Sequence, residues 1–193
     1  MFQWDHCTKQ RFHLIQQIIW ENRLKFDKGK VTKVSVDGTD FRIYEQDDEP
    51  RSWFSHKFNG PAVRYEIGLS IEGGDIVWIN GPFRAGRFCD IVIFRSELKG
   101  KLELVGERAE ADQGYRGEAL TVDLPNDGHI SLHRKKTIVR ARHETVNKRF
   151  KQWGCLQNKW RHDIEDHWKA FHAVAIVTQL SIQNGEPLFQ LEY

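Results

Sequence analysis

The chain has 193 residues, a formal net charge of +2, 39% hydrophobic and 29% charged side chains. That balance suits one folded domain with a sizeable core and argues against a disordered chain. No apolar run nears the roughly 18 residues of a membrane-spanning helix, and the opening Met1-Phe2-Gln3-Trp4-Asp5-His6 is unlike a signal peptide, so an intracellular, reducing location is expected.

In chain order, Arg11 to Leu24 places Phe12, Ile15, Ile18, Ile19 and Trp20 near helical spacing and predicts an N-terminal helix. Val31 to Asp37 is rich in β-branched residues and predicts a strand, with Phe41 to Tyr44 as its hairpin partner and Glu45 to Arg51 as a loop. Strands are predicted over Val63 to Ile71 and Ile76 to Ile79, joined by a Gly73-Gly74 turn, with Gly81-Pro82 stopping the second. Arg87 to Leu98 reads as a helix stopped by Gly100. The apolar Leu102-Leu104-Val105 leads into a short strand ending near Asp112, then a glycine turn, and Leu120 to Leu124 reads as another strand. Pro125 to Lys136 is polar and basic and reads as a loop. Val139 to Leu156 predicts a helix with Val146, Phe150 and Trp153 on one stripe, and Asp163 to Asn184 a second, with Ile164, Trp168, Phe171 and Ala175 on one face. The order of elements predicts an α/β domain with a mixed central sheet flanked by helices.

Charge is unevenly spread. Arg134 to Arg161 holds ten basic residues and one acidic residue, Glu144, a net +9, while the remainder is acidic on balance. A cationic block on an acidic body is the footprint of a face that binds a polyanion. It is also what a solvated helix face followed by a basic loop looks like.

Three carboxylates suit metal-assisted phosphodiester cleavage, which uses ions about 4 Å apart to activate the attacking oxygen and stabilise the leaving one. Asp37 closes a strand core, Asp112 precedes a glycine turn, and Glu144 lies on a helix within the basic block. Each has an ordinary alternative. Asp37-Gly38 is a hairpin-turn dipeptide, Asp112 suits a turn or cap, and Glu144 with Lys148 forms a helical i, i+4 pair. Cys7, Cys89 and Cys155 are odd in number and far apart, so they read as reduced, mostly buried thiols with no zinc-binding pair. His162, His167 and His172 recur every fifth residue, which turns them away from one another on a helix and marks them as packing or surface residues.

Four segments occur in order: Val34-Ser35-Val36-Asp37-Gly38-Thr39-Asp40, Gly81-Pro82-Phe83-Arg84-Ala85-Gly86-Arg87-Phe88-Cys89-Asp90, Ala111-Asp112-Gln113-Gly114-Tyr115 and Ala141-Arg142-His143-Glu144-Thr145-Val146-Asn147. Together they resemble the DDE superfamily endonuclease domain of Harbinger-like DNA transposases. The closing Phe171-His172-Ala173-Val174-Ala175-Ile176-Val177-Thr178-Gln179 and Pro187-Leu188-Phe189 resemble it too. The resemblance implies a ribonuclease-H-like catalytic domain over 31–193, preceded by a helical extension over 1–30. It makes Asp37, Asp112 and Glu144 the catalytic and metal-holding residues, with two Mg²⁺ or Mn²⁺ ions as cofactors. Asp90 matches a recurring aspartate of the family and takes a secondary, structural role. Water would free a 3′-hydroxyl at the element end, and that hydroxyl would attack target DNA. Arg142, Lys148 and Lys151 become the candidate contacts to the DNA backbone.

The implied partners are double-stranded DNA, a second copy of the chain in a homodimer and a separate DNA-binding protein, because about 30 residues before the first strand are too few for a full reader domain. The implied location is the nucleus. The competing expectation is a catalytically idle or domesticated transposase-derived module that binds DNA or another protein.

Overall fold

The computed structural model describes residues 17–46, 48–124 and 130–190, with the side chains of 130–136 excepted. Its frame is the strand β1 (Thr32–Arg42), which lies in the middle of a mixed sheet. On one side β1 pairs antiparallel with β3 (Gly60–Ser70), in unbroken register from Val34 opposite Ser70 to Arg42 opposite Ala62. β3 in turn pairs antiparallel with β4 (Ile76–Arg84) and, near its start, with the two-residue β2 (Phe54–Ser55). On its other side β1 pairs parallel with β5 (Arg108–Glu110), and β5 pairs parallel with β6 (Val122–Asp123).

The expected hairpin at Asp37-Gly38 is absent: the strand continues through both residues, with Gly38 opposite Glu66 on β3. Local turn preference yields here to long-range pairing. β1 therefore includes Phe41, and Ile43 just past its end bridges to Trp160. Gly81-Pro82 likewise does not end β4. The pair falls at a bulge, where the register jumps from Arg64 opposite Phe83 to Glu66 opposite Asn80. Gly81 has φ +137°, and a side chain there would meet the Tyr65 ring and the Arg64 carbonyl.

The helices also depart from the sequence reading. α1 (Pro50–Trp53) is one helical turn that begins inside the loop expected over Glu45 to Arg51 and runs past its end. The single helix expected over Arg87 to Leu98 is two, α2 (Asp90–Ser96) and α3 (Leu98–Val105). Leu102, Leu104 and Val105 belong to α3, so Gly100 lies inside it. Gly106 terminates it in the left-handed conformation, with its amide bonded to Glu103 O and that of Glu107 to Leu102 O. α4 (Ile130–Phe150) starts well before Val139, so 130–136 is helical, while 125–129 of the expected loop lies outside the described residues. Trp153 falls beyond α4 and is exposed. α5 (Gly154–Gln157) is a separate turn, and α6 (His167–Gln183) follows a 3-10 turn at Ile164–Asp166. Of the expected N-terminal helix, Arg11 to Gln16 lies outside the described residues, and Trp20–Leu24 is a 3-10 turn. Among the described residues no helix is long and apolar enough to cross a membrane.

Strand alternation splits the core in two. The odd positions Phe41 on β1 and Val63, Tyr65, Ile67 and Leu69 on β3 pack under Val146 and Phe150 of α4 and Phe171, Val174 and Ala175 of α6. The opposite face carries Val36 and, with Ala109 and Val122, packs on Phe94 of α2 and Leu98 and Leu102 of α3. His167 and His172 are buried packing residues of α6, while His162 is exposed. Cys89 and Cys155 are exposed rather than buried; both lie where a helix begins at the surface, so neither thiol faces the core. Cys7 lies outside the described residues.

Phe171 is fully buried and stacks on Tyr65 with ring centroids 3.7 Å apart. Truncation leaves a cavity between α6 and the sheet, so Phe171→Ala should lower stability by about 3–5 kcal/mol. Urea unfolding of the variant checks this; a loss below about 1 kcal/mol would contradict the packing described.

Candidate active site

Asp37 lies at the middle of β1, on the face it shares with Ser35. That face lies under α4, because Ser35 Oγ is 2.9 Å from His143 Nε2 of that helix. Asp37 Oδ1 accepts from the Gly38 amide at 2.8 Å. Burial raises the Asp37 pKa, and the negative charge of Asp112 adds to the effect, while Lys57 and Arg140 act against it.

Asp112 follows β5 and caps the 3-10 turn Gln113–Tyr115, where Oδ1 accepts from the Gly114 amide at 2.7 Å. β5 is parallel to β1 and hydrogen-bonded to it, which brings the end of one strand beside the middle of the other. The capping reading of Asp112 and its electrostatic partnership with Asp37 therefore hold together.

Asp90 opens α2 and reaches the same place from the other face of the sheet. Its Oδ1 occupies the space in which a side chain at position 38 would stand, so any side chain there would have to displace the Asp90 carboxylate. A methyl on Gly114 would lie 2.9 Å from Asp112 Oδ1 and 3.1 Å from Asp90 Oδ2, so both oxygens border the same small gap. Burial raises the Asp90 pKa, Arg64 and Lys57 oppose it, and Asp37 and Asp112 push it further up. Asp90 Oδ1 is buried without a hydrogen bond, although Arg64 Nη1 stands 3.3 Å away.

Glu144 is exposed on α4, and no described contact joins it to Asp37 or Asp112. Arg140 is one helical turn earlier on the same side of α4, and its charge reaches Asp37. The structure thus brings Asp37 and Asp112 together with Asp90, and sets Glu144 on the neighbouring helix surface. Among the described residues no three His, Cys, Asp or Glu side chains converge as a metal-binding group.

The proposed DNA contacts separate. Lys148 is exposed. Lys151 is half-buried, with its ammonium 5.8 Å from the Phe41 ring centre and 5.6 Å from that of Phe58. Burial lowers its pKa, with the positive charge of Lys57 adding to the effect. Arg142 is buried: its guanidinium donates to the carbonyls of Ile71 and Phe189, and burial brings its pKa down to about 10. Its donors tie α4 to the end of β3 and to the C-terminal segment, so they do not face a phosphate.

Lys57 and Glu66 enter the site without having stood out in the sequence. Lys57 Nζ donates to Gly38 O at 2.8 Å. Glu66 sits inside β3 on the Asp90 side of the sheet and accepts from Trp78 Nε1 at 2.9 Å. Burial pushes its pKa up to about 8, with Asp90 adding to the rise. The signal available for Glu66 was a carboxylate amid the apolar alternation of β3, at a position that would face water only if that face of the sheet were uncovered.

Comparison with protein-family models, with curated proteins and with solved structures finds no match for this chain.

The raised pKa of Glu66 has a definite sign. The folded protein keeps a proton that the unfolded chain releases, so the resulting stability is complete below the ordinary carboxylate value of 4.5 and is lost as pH rises to about 8. His143 and His167, brought down to about 4 by burial, oppose this trend below their ordinary value of 6.5. Between pH 6.5 and 8 Glu66 is left to dominate. Stability should therefore fall with rising pH across that window in the wild type and stay nearly level in Glu66→Gln. Chemical denaturation at three pH values measures it; parallel slopes in the two proteins would refute the assignment.

Proposed function

We propose that this chain is a DDE transposase-type endonuclease domain with a ribonuclease-H-like fold, which cuts DNA phosphodiester bonds and passes the freed 3′-hydroxyl to target DNA. The observation that carries the reading is the placement of Asp37, on the central strand, beside Asp112, at the end of the adjacent parallel strand and near enough for its charge to raise the Asp37 pKa. A sheet of antiparallel strands continued by two parallel ones, with helices on both faces, is compatible with such a fold.

The donor chemistry fits a hard divalent cation. The oxygens are carboxylate oxygens, the charges of Asp37 and Asp112 repel one another, and the buried Asp90 Oδ1 beside them has no hydrogen bond. Asp37, Asp112 and Glu144 would hold Mg²⁺ or Mn²⁺, two ions in the full reading, which polarise the attacking and leaving oxygens of the phosphodiester. Lys57 and Arg140 set positive charge beside Asp37 and are suited to the non-bridging phosphate oxygens, with Lys148 further along α4 and Lys151 just past its end. Asp90 acts from below: it fills the space at Gly38 and fixes the backbone that carries Asp37. Double-stranded DNA, a homodimer and a nuclear location belong to the same reading.

A second reading, a catalytically idle domain retained for DNA or protein binding, is favoured by the exposed position of Glu144 and by the separate backbone hydrogen bonds of Asp37 and Asp112. Nicking of supercoiled plasmid in Mg²⁺ or Mn²⁺ decides between them. The endonuclease reading predicts metal-dependent nicking that drops at least a hundredfold in Asp112→Asn and Glu144→Gln while both variants unfold like the wild type. Equal activity in wild type and Asp112→Asn, or none in the wild type, would sink it.

A further inference from the structure

We infer that a band of cations and aromatic rings along the outgoing end of β1 binds single-stranded DNA, a reading that rests in part on the proposed endonuclease, since a nicked duplex exposes a strand to hold. The band starts at the carboxylates. Lys57 holds Gly38 O, and the Lys151 ammonium lies over the Phe41 and Phe58 rings. Arg42, the last residue of β1, places its guanidinium 4.7 Å from the Phe58 ring centre. Two residues on, Tyr44 is 47% exposed, with Arg161 and Lys159 at 5.6 and 5.8 Å from its ring centre. Backbone hydrogen bonds weld this end together: Trp160 N donates to Arg42 O, and Tyr44 N to Trp160 O. From Gly38 to Tyr44 the strand covers about 20 Å, room for a few nucleotides.

Charge complementarity points to a polyanion. Among the described residues none of Lys57, Lys151, Arg42, Lys159 and Arg161 makes an ion pair, whereas Arg23, Arg64, Arg84, Arg95 and Arg108 all do. Lys57 and Arg42 are near enough to Lys151 to disfavour its charge. The carboxylates that follow are engaged locally: Asp163 Oδ1 accepts from the Glu165 amide at 3.0 Å, and Asp166 pairs with Lys169. Uncompensated cations packed side by side gain most from a run of phosphates.

The aromatic rings select single strands. Tyr44 is half-exposed beside Arg161 and Lys159, and Trp160 lines an open cleft with Asn158, Lys159, Arg161 and His162. Unpaired bases stack on such rings between cations that follow the backbone, whereas a duplex keeps its base faces inside and meets only the cations.

Fluorescence anisotropy with labelled oligo(dT), in EDTA so that no cleavage occurs, tests this on the full chain. Wild type should bind oligo(dT) more tightly than a duplex of equal length. Arg42→Gln with Arg161→Gln should weaken it roughly tenfold, and Tyr44→Ala roughly fivefold. The double variant should also flatten the salt dependence by about 0.7 per lost phosphate contact. All three side chains are exposed, so the variants should keep the wild-type unfolding curve. Unchanged affinity in the variants, tighter binding of the duplex or of oligo(rU), or no nucleic-acid binding at all overturns the proposal. Asp112→Asn should bind oligo(dT) like the wild type. Loss of nicking with intact binding would therefore count against the endonuclease alone, and the reverse against the strand-binding band alone.

Discussion

Arg64 projects from β3 and grips Asp40 of β1 through Nε and Nη2, at 2.7 and 3.0 Å, while its Nη1 stands 3.3 Å from Asp90 of α2. Burial opposes the charge on Asp40, but Arg64 and Ser55 outweigh it and hold the carboxyl below its ordinary pKa. One guanidinium thus makes two inward-facing carboxylates tolerable on a covered face of the sheet. Without it, β1 would carry an unpaired charge two residues from Gly38, and α2 would lose the anchor that seats Asp90 against that glycine. The continuation of β1 through Asp37-Gly38-Thr39-Asp40 depends on this arrangement, and so does the position of Asp37.

From that anchor the charges sort by side. Asp90 and Asp112 border one gap beside Gly114, and Asp37 on β1 is near enough for its charge to raise the Asp90 pKa and for that of Asp112 to raise its own. Cations act on Asp37 from the stretch after β2, through Lys57, and from α4, through Arg140, while Lys151, just past the end of α4, is near enough for the charge of Asp37 to favour its own. Negative charge from Asp37, Asp90 and Asp112 and positive charge from Lys57 thus meet where β1 passes the end of β5, although among the described residues no three of these side chains converge as a metal-binding group. Arg42, Lys159 and Arg161, cations without an ion pair among the described residues, continue past this point at the outgoing end of β1.

The mixed sheet with its flanking helices was legible in the sequence, and the departures from the reading have physical causes. The alternation of Val63, Tyr65, Ile67 and Leu69 identified β3 because one of its faces is wholly apolar. Asp37 and Asp112 stood out because Asp37 closes a β-branched run at Gly38 and Asp112 ends a short run ahead of the Gly114 turn. The hairpin expected at Asp37-Gly38 failed because that dipeptide's turn preference is local, whereas pairing with β3 and the packing of Asp90 on Gly38 are not. Arg142 looked like a phosphate contact within a basic run. It lies on the stripe of Val139, Val146 and Phe150, and that spacing already placed it toward the core. Glu66 and Lys57 could not be found by motif, since their roles come from which face of the sheet is covered and from a carbonyl 19 positions away.

The charge of Asp112 acts on Asp37 across the parallel pair of β1 and β5. Carboxyl-carbon NMR titration of Asp37 in the wild type and in Asp112→Asn measures this directly. Removing the neighbouring charge should lower the Asp37 pKa, and Mg²⁺ should lower it in the wild type more than in the variant. An Asp37 titration unchanged by the substitution and by Mg²⁺ would contradict the shared site.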